Sequence, residues 1–552
     1  MRKIRTSDMS SEQLALFRNI YSMISETNGL SLSATLKLLL GSHRLVDQPV
    51  QLALLQEFMV LLNKYHGRLI GAETLLSHPV SDAFRAFFES FALPYKEEHI
   101  HLTGSLTGDF LFPHIEKLLD GEKRENLLSR LVPIYGKEIE ALKDGEHLGR
   151  LLSLNDEEFF DAYLKKLYLP KLVLTSREIH AQASYHMAKT LYEKYNVGSV
   201  RLKFTYSRAT ANESEKIPGT ENLASEDVVL GLYEGFEAFK SENPTFDYVL
   251  SPSFRKEPDF YDNVRFGSKA SHFNDQVSSI IELIEKYPDL ANKLTDVDTV
   301  GDEKNLYKKE HFAHMRVGFR RLEARGIRVR SHHGETFLTL KKGIQAVDNA
   351  MNIWRIDTLE HGLALGINPN IYFQTMMERA LCLNAEATPI AGESRYGTLE
   401  REIREWDFKD ESIRRKILEG VPLSLAEERN FIKTKFYHAL EVEHYQHDVL
   451  NRLIDKSVSL TALPSSNHKL TGVIPGFQDH PFSWWEKKGI SLGVGTDNYV
   501  TLGTNYIKEL LLLLYSEPDD LKIMKLLMVA SGEKRRLHLS HLLWETKKEL
   551  FE

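Results

Sequence analysis

Two histidines separated by one residue are the first feature of this sequence that could support catalysis. His99 and His101 flank Ile100 in the segment EEHIHLTG (97–104). If this segment is a β-strand, both imidazoles lie on one face, because side chains alternate along a strand with a period of two. Two nitrogens on one face can bind a single zinc ion at about 2.0–2.1 Å. The pattern therefore predicts two ligands of a metal site.

Further histidines, carboxylates and glycines stand at the ends of later strand-like segments. In chain order they are Gly301 and Asp302, His332 and Glu335, His361, and Asp497 and Asn498. His332 and Asp497 would complete a set of three imidazoles and one carboxylate, with one coordination position left open for water. Zinc in such a set lowers the pKa of a water ligand toward about 7 and supplies hydroxide at neutral pH. We expect one zinc ion per chain, although cobalt or iron also suits these ligands.

These residues follow strands in a repeating strand–helix order. The eight strand-like segments are EEHIHLTG (97–104), SVRLKFTYS (199–207), FDYVLSPSF (246–254), LTDVDTVGD (294–302), IRVRSHHGE (327–335), IDTLEHG (356–362), SVSLTALPSS (457–466) and ISLGVGTDN (490–498). Amphipathic helical stretches separate most of them, and this alternation predicts an α/β fold, a closed TIM-like (β/α)8 barrel. The active site of such a barrel forms at the C-terminal ends of the strands, where the candidate residues stand.

Two long stretches lie outside this alternation. Residues 1–94 show helical apolar spacing without a strand signal and predict an N-terminal helical region. Roughly 95 residues separate His361 from the next strand-like segment, which predicts a large helical insertion at about 363–456. We therefore divide the chain into the region 1–94 and a metal-dependent barrel at 95–552 that carries the insertion. Either stretch could cap the pocket, support a homo-oligomer or simply wrap the barrel.

Composition and charge restrict the class of protein. The 552 residues carry a formal net charge of −8, which gives no general basic field for binding nucleic acid. Cys382 is the only cysteine, so an intrachain disulfide and the cysteine-rich zinc site of base-flipping deaminases are excluded. The longest apolar run, at 510–515, is too short to cross a membrane, and the first residues lack the apolar core of a signal peptide. We predict a cytoplasmic protein without a membrane partner.

The ordered set of motifs resembles the adenosine and AMP deaminase family of the amidohydrolase barrels. The similar segments are HIHLTGSL, DVDTVGDE, RVRSHHGET, DTLEHG, LPSSNHKLTG and GTDN. The resemblance covers about residues 95–545 apart from the long insertion, and the order of the motifs is preserved throughout. It implies zinc-dependent hydrolytic deamination of adenosine or an adenine nucleotide, with the inosine product and ammonia released.

The resemblance also implies roles for individual residues. Zinc would be held by His99, His101, His332 and Asp497. The catalytic residues would be Glu335, His361 and Asp497. Glu335 would protonate ring nitrogen N1, and His361 would orient the attacking water and stabilise the developing charge. The backbone N–H of Gly301 would donate to N3, at a position where the ring must approach the backbone closely.

Two departures from the family pattern bear on the substrate. Asn498 stands where the family has a second aspartate, and its amide can donate a hydrogen bond to purine N7 without any pKa shift. Thr103 stands where nucleoside-selective members carry an aspartate, and threonine does not repel a 5′-phosphate. We therefore favour a nucleotide over a nucleoside. The expected phosphate contacts are Arg208, Arg255, Lys256 and Lys269.

Two other interpretations stay open from the sequence. A different amidohydrolase could use the same metal ligands on adenine base or a modified purine. A nucleotide-binding or assembly protein with a decayed site is favoured by Asn498, the helical extension and the insertion. The presence of every expected ligand and of Glu335 counts against this second alternative.

Overall fold

The structure is a computed structural model of the chain. It describes residues 9–551 except 122–123, 156–157, 159, 207–215, 393–396, 409, 434–436 and 472. Arg208 belongs to one of these gaps, so the phosphate contact predicted for it lies outside the described residues.

Parallel strands form the centre of the molecule. Across the described ranges, eight strands make one sheet in sequence order, and every neighbouring pair is parallel. They are β1 (Tyr95–His101), β2 (Val197–Thr205), β3 (Asp247–Arg255), β4 (Asp296–Val300), β5 (Arg328–His333), β6 (Thr358–His361), β7 (Ser459–Ala462) and β8 (Leu492–Val494). The sheet closes beyond β8, where a parallel bridge joins Ile100 to Asp497 and the His101 N–H donates to the Asp497 carbonyl at 2.7 Å. The predicted barrel is confirmed, and each predicted segment overlaps its strand.

Helices surround the strands and fill the long connections. Those before β1 are α1 (Ser11–Glu26), α2 (Leu32–Leu40), α3 (Pro49–His66), α4 (Ala72–Leu76) and α5 (Pro79–Glu89). Those between β1 and β2 are α6 (Gly108–Leu119), α7 (Arg124–Tyr135), α8 (Gly145–Leu152), α9 (Phe160–Lys166), α10 (Tyr168–Val173) and α11 (Arg177–Tyr195). Those from β2 to β6 are α12 (Ser225–Glu242), α13 (Lys269–Lys286), α14 (Pro288–Ala291), α15 (Lys309–Glu323) and α16 (Leu340–Asn349).

The remaining helices follow β6. Between β6 and β7 lie α17 (Pro369–Ala385), α18 (Gly397–Glu405), α19 (Glu411–Glu419), α20 (Leu425–Ile432) and α21 (Tyr437–Asp455). After β7 come α22 (Pro464–Lys469), α23 (Phe482–Lys487), α24 (Tyr506–Ser516), α25 (Ile523–Ser531) and α26 (Arg536–Phe551). None of the helices in the described ranges is both long and apolar enough to span a bilayer.

The N-terminal helices pack against the C-terminal part of the barrel. Helix α1 begins after Ser10, whose hydroxyl accepts from the Gln13 N–H while the Gln13 side chain accepts from the Ser10 N–H, a capping box. Phe58 of α3 lies edge-to-face on Tyr515 of α24, with ring centroids 5.7 Å apart. Because one hydrophobic cluster runs from α1 to α26, the boundary at residue 94 stays a prediction from the sequence.

Truncation of Phe58 to alanine is expected to lower the free energy of unfolding by about 3–5 kcal/mol, because a fully buried aromatic ring is lost and a cavity remains. Phe58 is 0% exposed, whereas Val60 on the same helix is 53% exposed. Val60→Ala is therefore the matched control and should change stability by no more than about 0.5 kcal/mol. Urea unfolding followed by circular dichroism measures both. Equal stabilities of the two variants would contradict the packing described for α3.

Candidate metal and active site

Four predicted metal ligands meet at the C-terminal end of the barrel. The Nε2 atom of His101 lies 3.1 Å from Nε2 of His99 and 3.2 Å from Nε2 of His332. Oδ1 of Asp497 lies 3.6 Å from His99 Nε2 and 3.5 Å from His101 Nε2. The four side chains come from β1, from β5 and from the residues just after β8. The structure thus brings together the set predicted from the sequence.

Four of the six separations between these atoms are close to those around a tetrahedral metal ion. Ligand atoms at about 2.0–2.2 Å from a tetrahedral centre lie roughly 3.3–3.6 Å from one another, and the four separations given above are 3.1–3.6 Å. The opposite ring nitrogens are held by carboxylates: His99 Nδ1 donates to Glu360 at 2.9 Å, and His332 Nδ1 donates to Asp298 at 3.1 Å. Each Nε2 therefore carries a lone pair directed at the common centre, which is the tautomer that a metal requires.

Burial shifts two of the three imidazoles toward the neutral form that binds metal. It lowers the pKa of His101 to about 3 and also lowers the pKa of His332. His99 differs, because despite its burial the neighbouring carboxylates of Glu360 and Asp497 raise its pKa. Metal binding therefore requires no proton to leave His101 or His332. The donor set of three nitrogens and one carboxylate oxygen suits zinc, and cobalt or iron as well.

A buried network of charged residues contacts the candidate histidine ligands. Lys203 of β2 lies 3.1 Å from Asp298 and 3.0 Å from Glu360, and Arg330 donates to Glu360 at 2.5 Å. Despite burial, Arg330 and Lys203 hold the pKa of Glu360 well below its usual range. None of these four residues was predicted from the sequence to belong to the site. Their signal was available, because each is a charged residue inside a strand-like segment whose neighbours are mostly apolar.

Glu335 lies in the loop after β5 and is 6% exposed. Burial and, to a smaller extent, the nearby charge of Asp497 raise its pKa to about 8. Its Oε2 atom lies 3.7 Å from Nε2 of His361. A carboxyl group with such a pKa is protonated at neutral pH and can serve as a general acid.

The loop that carries Glu335 is held by one carboxylate. Glu303 accepts hydrogen bonds from the backbone N–H groups of Gly334 at 3.0 Å, Glu335 at 2.6 Å and Thr336 at 2.7 Å. The ammonium group of Lys256 lies 3.7 Å from this carboxylate. Glu303 therefore sets the position of Glu335, and sequence analysis gave it no role.

His361 faces the same centre through its Nε2 atom. Its Nδ1–H donates to Oδ1 of Asn467 at 3.0 Å, and Nδ2 of Asn467 lies 3.1 Å from His480. The Nε2 atom is left as an acceptor with no partner among the described residues. His361 and Asp497 both adopt left-handed backbone angles, with φ values of 66° and 63°. Such strain at non-glycine residues persists only where the surrounding structure imposes it, as at functional sites.

A cavity of about 150 Å³ opens above these residues. Four residues predicted to bind substrate, Thr103, Gly301, Asn498 and Arg255, are among those that line it. Gly301 has a φ of 110°, and a Cβ at this position would come 2.2 Å from the Glu257 carboxylate, so glycine is required here. The donation of its N–H to a substrate stays a prediction.

Two of the predicted phosphate contacts do not reach the cavity. Lys256 is 2% exposed, and its ammonium group donates to the His332 carbonyl. Lys269 donates to the carbonyls of Arg255 at 2.7 Å and Phe260 at 2.8 Å. Both lysines satisfy buried backbone oxygens, so their positions do not support a phosphate-binding role. Arg255 does line the cavity, where its guanidinium group pairs with Glu257.

Three polar cavity residues that were not predicted from the sequence come from the helices between β1 and β2. They are Tyr163, Lys171 and His180. Asn498 also differs from the prediction: its Nδ2 donates to Asp497 Oδ1 at 2.5 Å and to the Tyr163 hydroxyl at 2.6 Å. Both amide hydrogens are thus used within the protein. The predicted donation from Asn498 to purine N7 is not available in this arrangement.

Comparison with known proteins gives similar solved structures. No family model and no curated protein matches the chain. A zinc-bound amidohydrolase from Burkhoderia ambifaria aligns at 12% identity and a TM-score of 0.47, over 84% of this chain and 94% of its own. The ligand-free N6-methyl-AMP deaminase from Arabidopsis thaliana aligns at 13% identity and a TM-score of 0.49, over 84% of this chain and 99% of its own. Arabidopsis ADAL in complex with IMP aligns at 13% identity and a TM-score of 0.48, over 83% of this chain and 98% of its own. The chemistry of this chain therefore has to be argued from its own site.

Proposed function

We propose that this protein is a metal-dependent hydrolase that replaces the 6-amino group of an adenine nucleoside or nucleotide with oxygen and releases ammonia. The observation that carries the proposal is that His99, His101, His332 and Asp497 converge beside Glu335, a buried carboxyl group whose pKa is raised to about 8 by its burial. A metal in the set would supply hydroxide at neutral pH.

Side chains of the protein carry out the proton transfer and orient the attacking water. Glu335 donates its proton to ring nitrogen N1, which makes C6 more electrophilic as water attacks. His361 Nε2, an acceptor without a protein partner in the described chain and 3.7 Å from Glu335, accepts a hydrogen bond from the attacking water. Glu303 holds the backbone of the loop so that the Glu335 carboxyl stays above the ligand set. Proton transfer of this kind typically contributes about 10²–10⁴-fold to the rate.

The cavity wall favours a phosphorylated substrate. Among the described residues that line it, the only carboxylates are Glu335 and Asp497, which belong to the reaction centre. Lys171 contributes positive charge to the wall, Arg255 lies there in an ion pair with Glu257, and Thr103 leaves the wall without a carboxylate next to β1. We therefore place 5′-nucleotides ahead of adenosine as substrates.

The test is a parallel incubation of the metal-loaded protein with adenosine, deoxyadenosine, AMP, ADP, ATP and N6-methyl-AMP, with products read by mass spectrometry. Replacement of the 6-amino or 6-methylamino group by oxygen establishes the reaction. A clear preference for adenosine over AMP would overturn the nucleotide assignment alone. Bound metal without turnover of any member would overturn adenine deamination.

Thr103→Asp is expected to lower the ratio of kcat/KM for AMP to that for adenosine by about tenfold or more, because a carboxylate near a 5′-phosphate repels it. Thr103→Asn is the control of matched size without charge and should leave the ratio near that of the unmodified protein. Steady-state kinetics on both substrates measures the effect. An unchanged ratio in the aspartate variant would place the 5′ end of the substrate elsewhere.

Glu303→Gln is expected to lower kcat by roughly 10–100-fold, because glutamine offers one acceptor where three backbone N–H groups now converge on a carboxylate. The control is Glu310→Gln, the same substitution at an exposed glutamate on α15. KM and metal content should change little in the glutamine variant, which separates a displaced loop from a damaged metal site. A kcat equal to that of the control would show that the carboxylate does not position Glu335.

A further inference from the structure

Tyr163 lies at the wall of the cavity on α9, in a stretch of the chain where the sequence carries no recognisable motif. It is 7% exposed and lines the cavity together with Glu335 and Asn498. Its hydroxyl oxygen accepts a hydrogen bond from Asn498 Nδ2 at 2.6 Å. A phenol at this place brings a polar group into an otherwise apolar helix face beside the reaction centre.

The hydrogen bonds around Asn498 leave one donor unused. The Asn498 amide nitrogen contacts Asp497 Oδ1 at 2.5 Å, and a flipped amide would put its oxygen against that carboxylate oxygen, so the orientation is determined. The Tyr163 oxygen therefore acts as acceptor toward Asn498. Its own hydrogen has no acceptor among the described residues, although a hydroxyl can donate as well as accept. Buried donors without partners are costly, and a ligand in the cavity can supply the acceptor.

The position of this donor in the barrel indicates which part of a ligand it meets. Glu335 follows β5, whereas Asn498 follows β8 and lies beside β1, on the opposite side of the closed barrel. If a purine has N1 at Glu335 and C6 at the metal ligands, its N7 edge points away from Glu335. N7 is a hydrogen-bond acceptor.

We propose that Tyr163 recognises purine N7 through its hydroxyl group, and that Asn498 is a positioning residue that orients this hydroxyl. The inference rests on the proposed deaminase function and deepens it. It assigns substrate discrimination to α9, outside the strand ends that carry the metal ligands. The enzyme then selects rings that have an acceptor at the N7 position.

The packing of α9 allows the Tyr163 hydroxyl to be tested separately from its ring. Tyr163 belongs to a small hydrophobic cluster with Leu154, Leu167, Leu470 and Leu502, separate from the main core. Phenylalanine keeps the ring in this cluster and removes only the hydroxyl. Tyr499 is a matched control, because it is a buried tyrosine next to Asn498 in sequence whose hydroxyl has no partner among the described residues.

The experiment compares kcat/KM for the best adenine substrate and for its 7-deaza analogue, in which N7 is replaced by C–H. The unmodified protein, Tyr163→Phe and Tyr499→Phe are measured side by side with equal metal content. The analogue's different intrinsic reactivity cancels when the ratio of the two substrates is compared between proteins. We expect the preference for the N7 substrate to fall by roughly 3–12-fold in Tyr163→Phe, the range of one neutral hydrogen bond, and to persist in Tyr499→Phe.

An unchanged preference in Tyr163→Phe, with an active unmodified protein, would overturn the role of Tyr163 and leave the proposed function intact. A similar loss of preference in Tyr499→Phe would also overturn it, since the effect would then not depend on the hydroxyl at the cavity. Absence of turnover of every purine by the unmodified, metal-loaded protein would overturn the proposed function, and this inference with it.

Discussion

Replacement of Glu335 by glutamine is expected to lower kcat by about 10²–10⁴-fold, the contribution typical of a positioned general acid. Burial raises the pKa of Glu335 to about 8, so at neutral pH the carboxyl group holds the proton that it would deliver to N1 in the proposed reaction. Glutamine has nearly the same size and can still form hydrogen bonds, but its amide does not release a proton. The expected loss therefore falls on kcat, with a much smaller change in KM.

The Glu335→Gln variant also separates catalysis from metal binding. Glu335 is not among the four proposed ligands, and its Oε2 atom lies 3.7 Å from His361, which is not one of them either. Metal content should therefore equal that of the unmodified protein, and so should the thermal midpoint within a few degrees. Single-turnover kinetics at saturating substrate is the direct measurement. A variant that retained more than a tenth of kcat would remove Glu335 from the role of proton donor.

The functional residues at the ends of the barrel strands could be predicted from the sequence, because the fold strongly restricts where those ends lie. Parallel strands that alternate with helices have to place their C-terminal ends at one rim, so a histidine or carboxylate at several such ends converges on one centre. His99, His101 and His332 follow from this rule together with the period of two along β1. The distances between their Nε2 atoms, 3.1 and 3.2 Å, agree with that reasoning.

The residues contributed by connections could not be placed in the same way. Tyr163 reaches the cavity from α9, the fourth of the six helices between β1 and β2 in the described ranges, and no periodic pattern relates that helix to a strand end. Lys256 and Lys269 follow the end of β3 in sequence and looked suited to a phosphate. Their positions are decided by buried carbonyl oxygens that need a donor, at His332 for Lys256 and at Arg255 for Lys269. Which carbonyls are left without partners depends on tertiary packing.

Removal of a single metal ligand is expected to abolish both metal binding and turnover. In His332→Ala the protein ligands that remain are two imidazoles and Asp497. The charge network that orients the imidazoles then contacts an incomplete set of metal ligands. We expect no stoichiometric metal after purification and kcat reduced to background. The measurements are metal analysis by mass spectrometry and competition with a chelator of known affinity, neither of which depends on turnover.

A smaller loss of metal affinity is expected when a residue that contacts a proposed ligand is substituted. Asp298→Asn leaves the ligand His332 in place but removes the carboxylate that accepts from its Nδ1–H at 3.1 Å. Loss of such a partner typically weakens metal binding by about 10–100-fold, because the tautomer and orientation of the ring are no longer held. The control is His314→Ala, since His314 belongs to the HFAH sequence on α15, which has histidines at helical spacing but no place in the ligand set. The affinities should therefore rank the control first, Asp298→Asn second and His332→Ala last. Full metal affinity in His332→Ala would show that the three-histidine, one-aspartate group is not the metal site, and the proposed hydrolysis would lose its source of hydroxide.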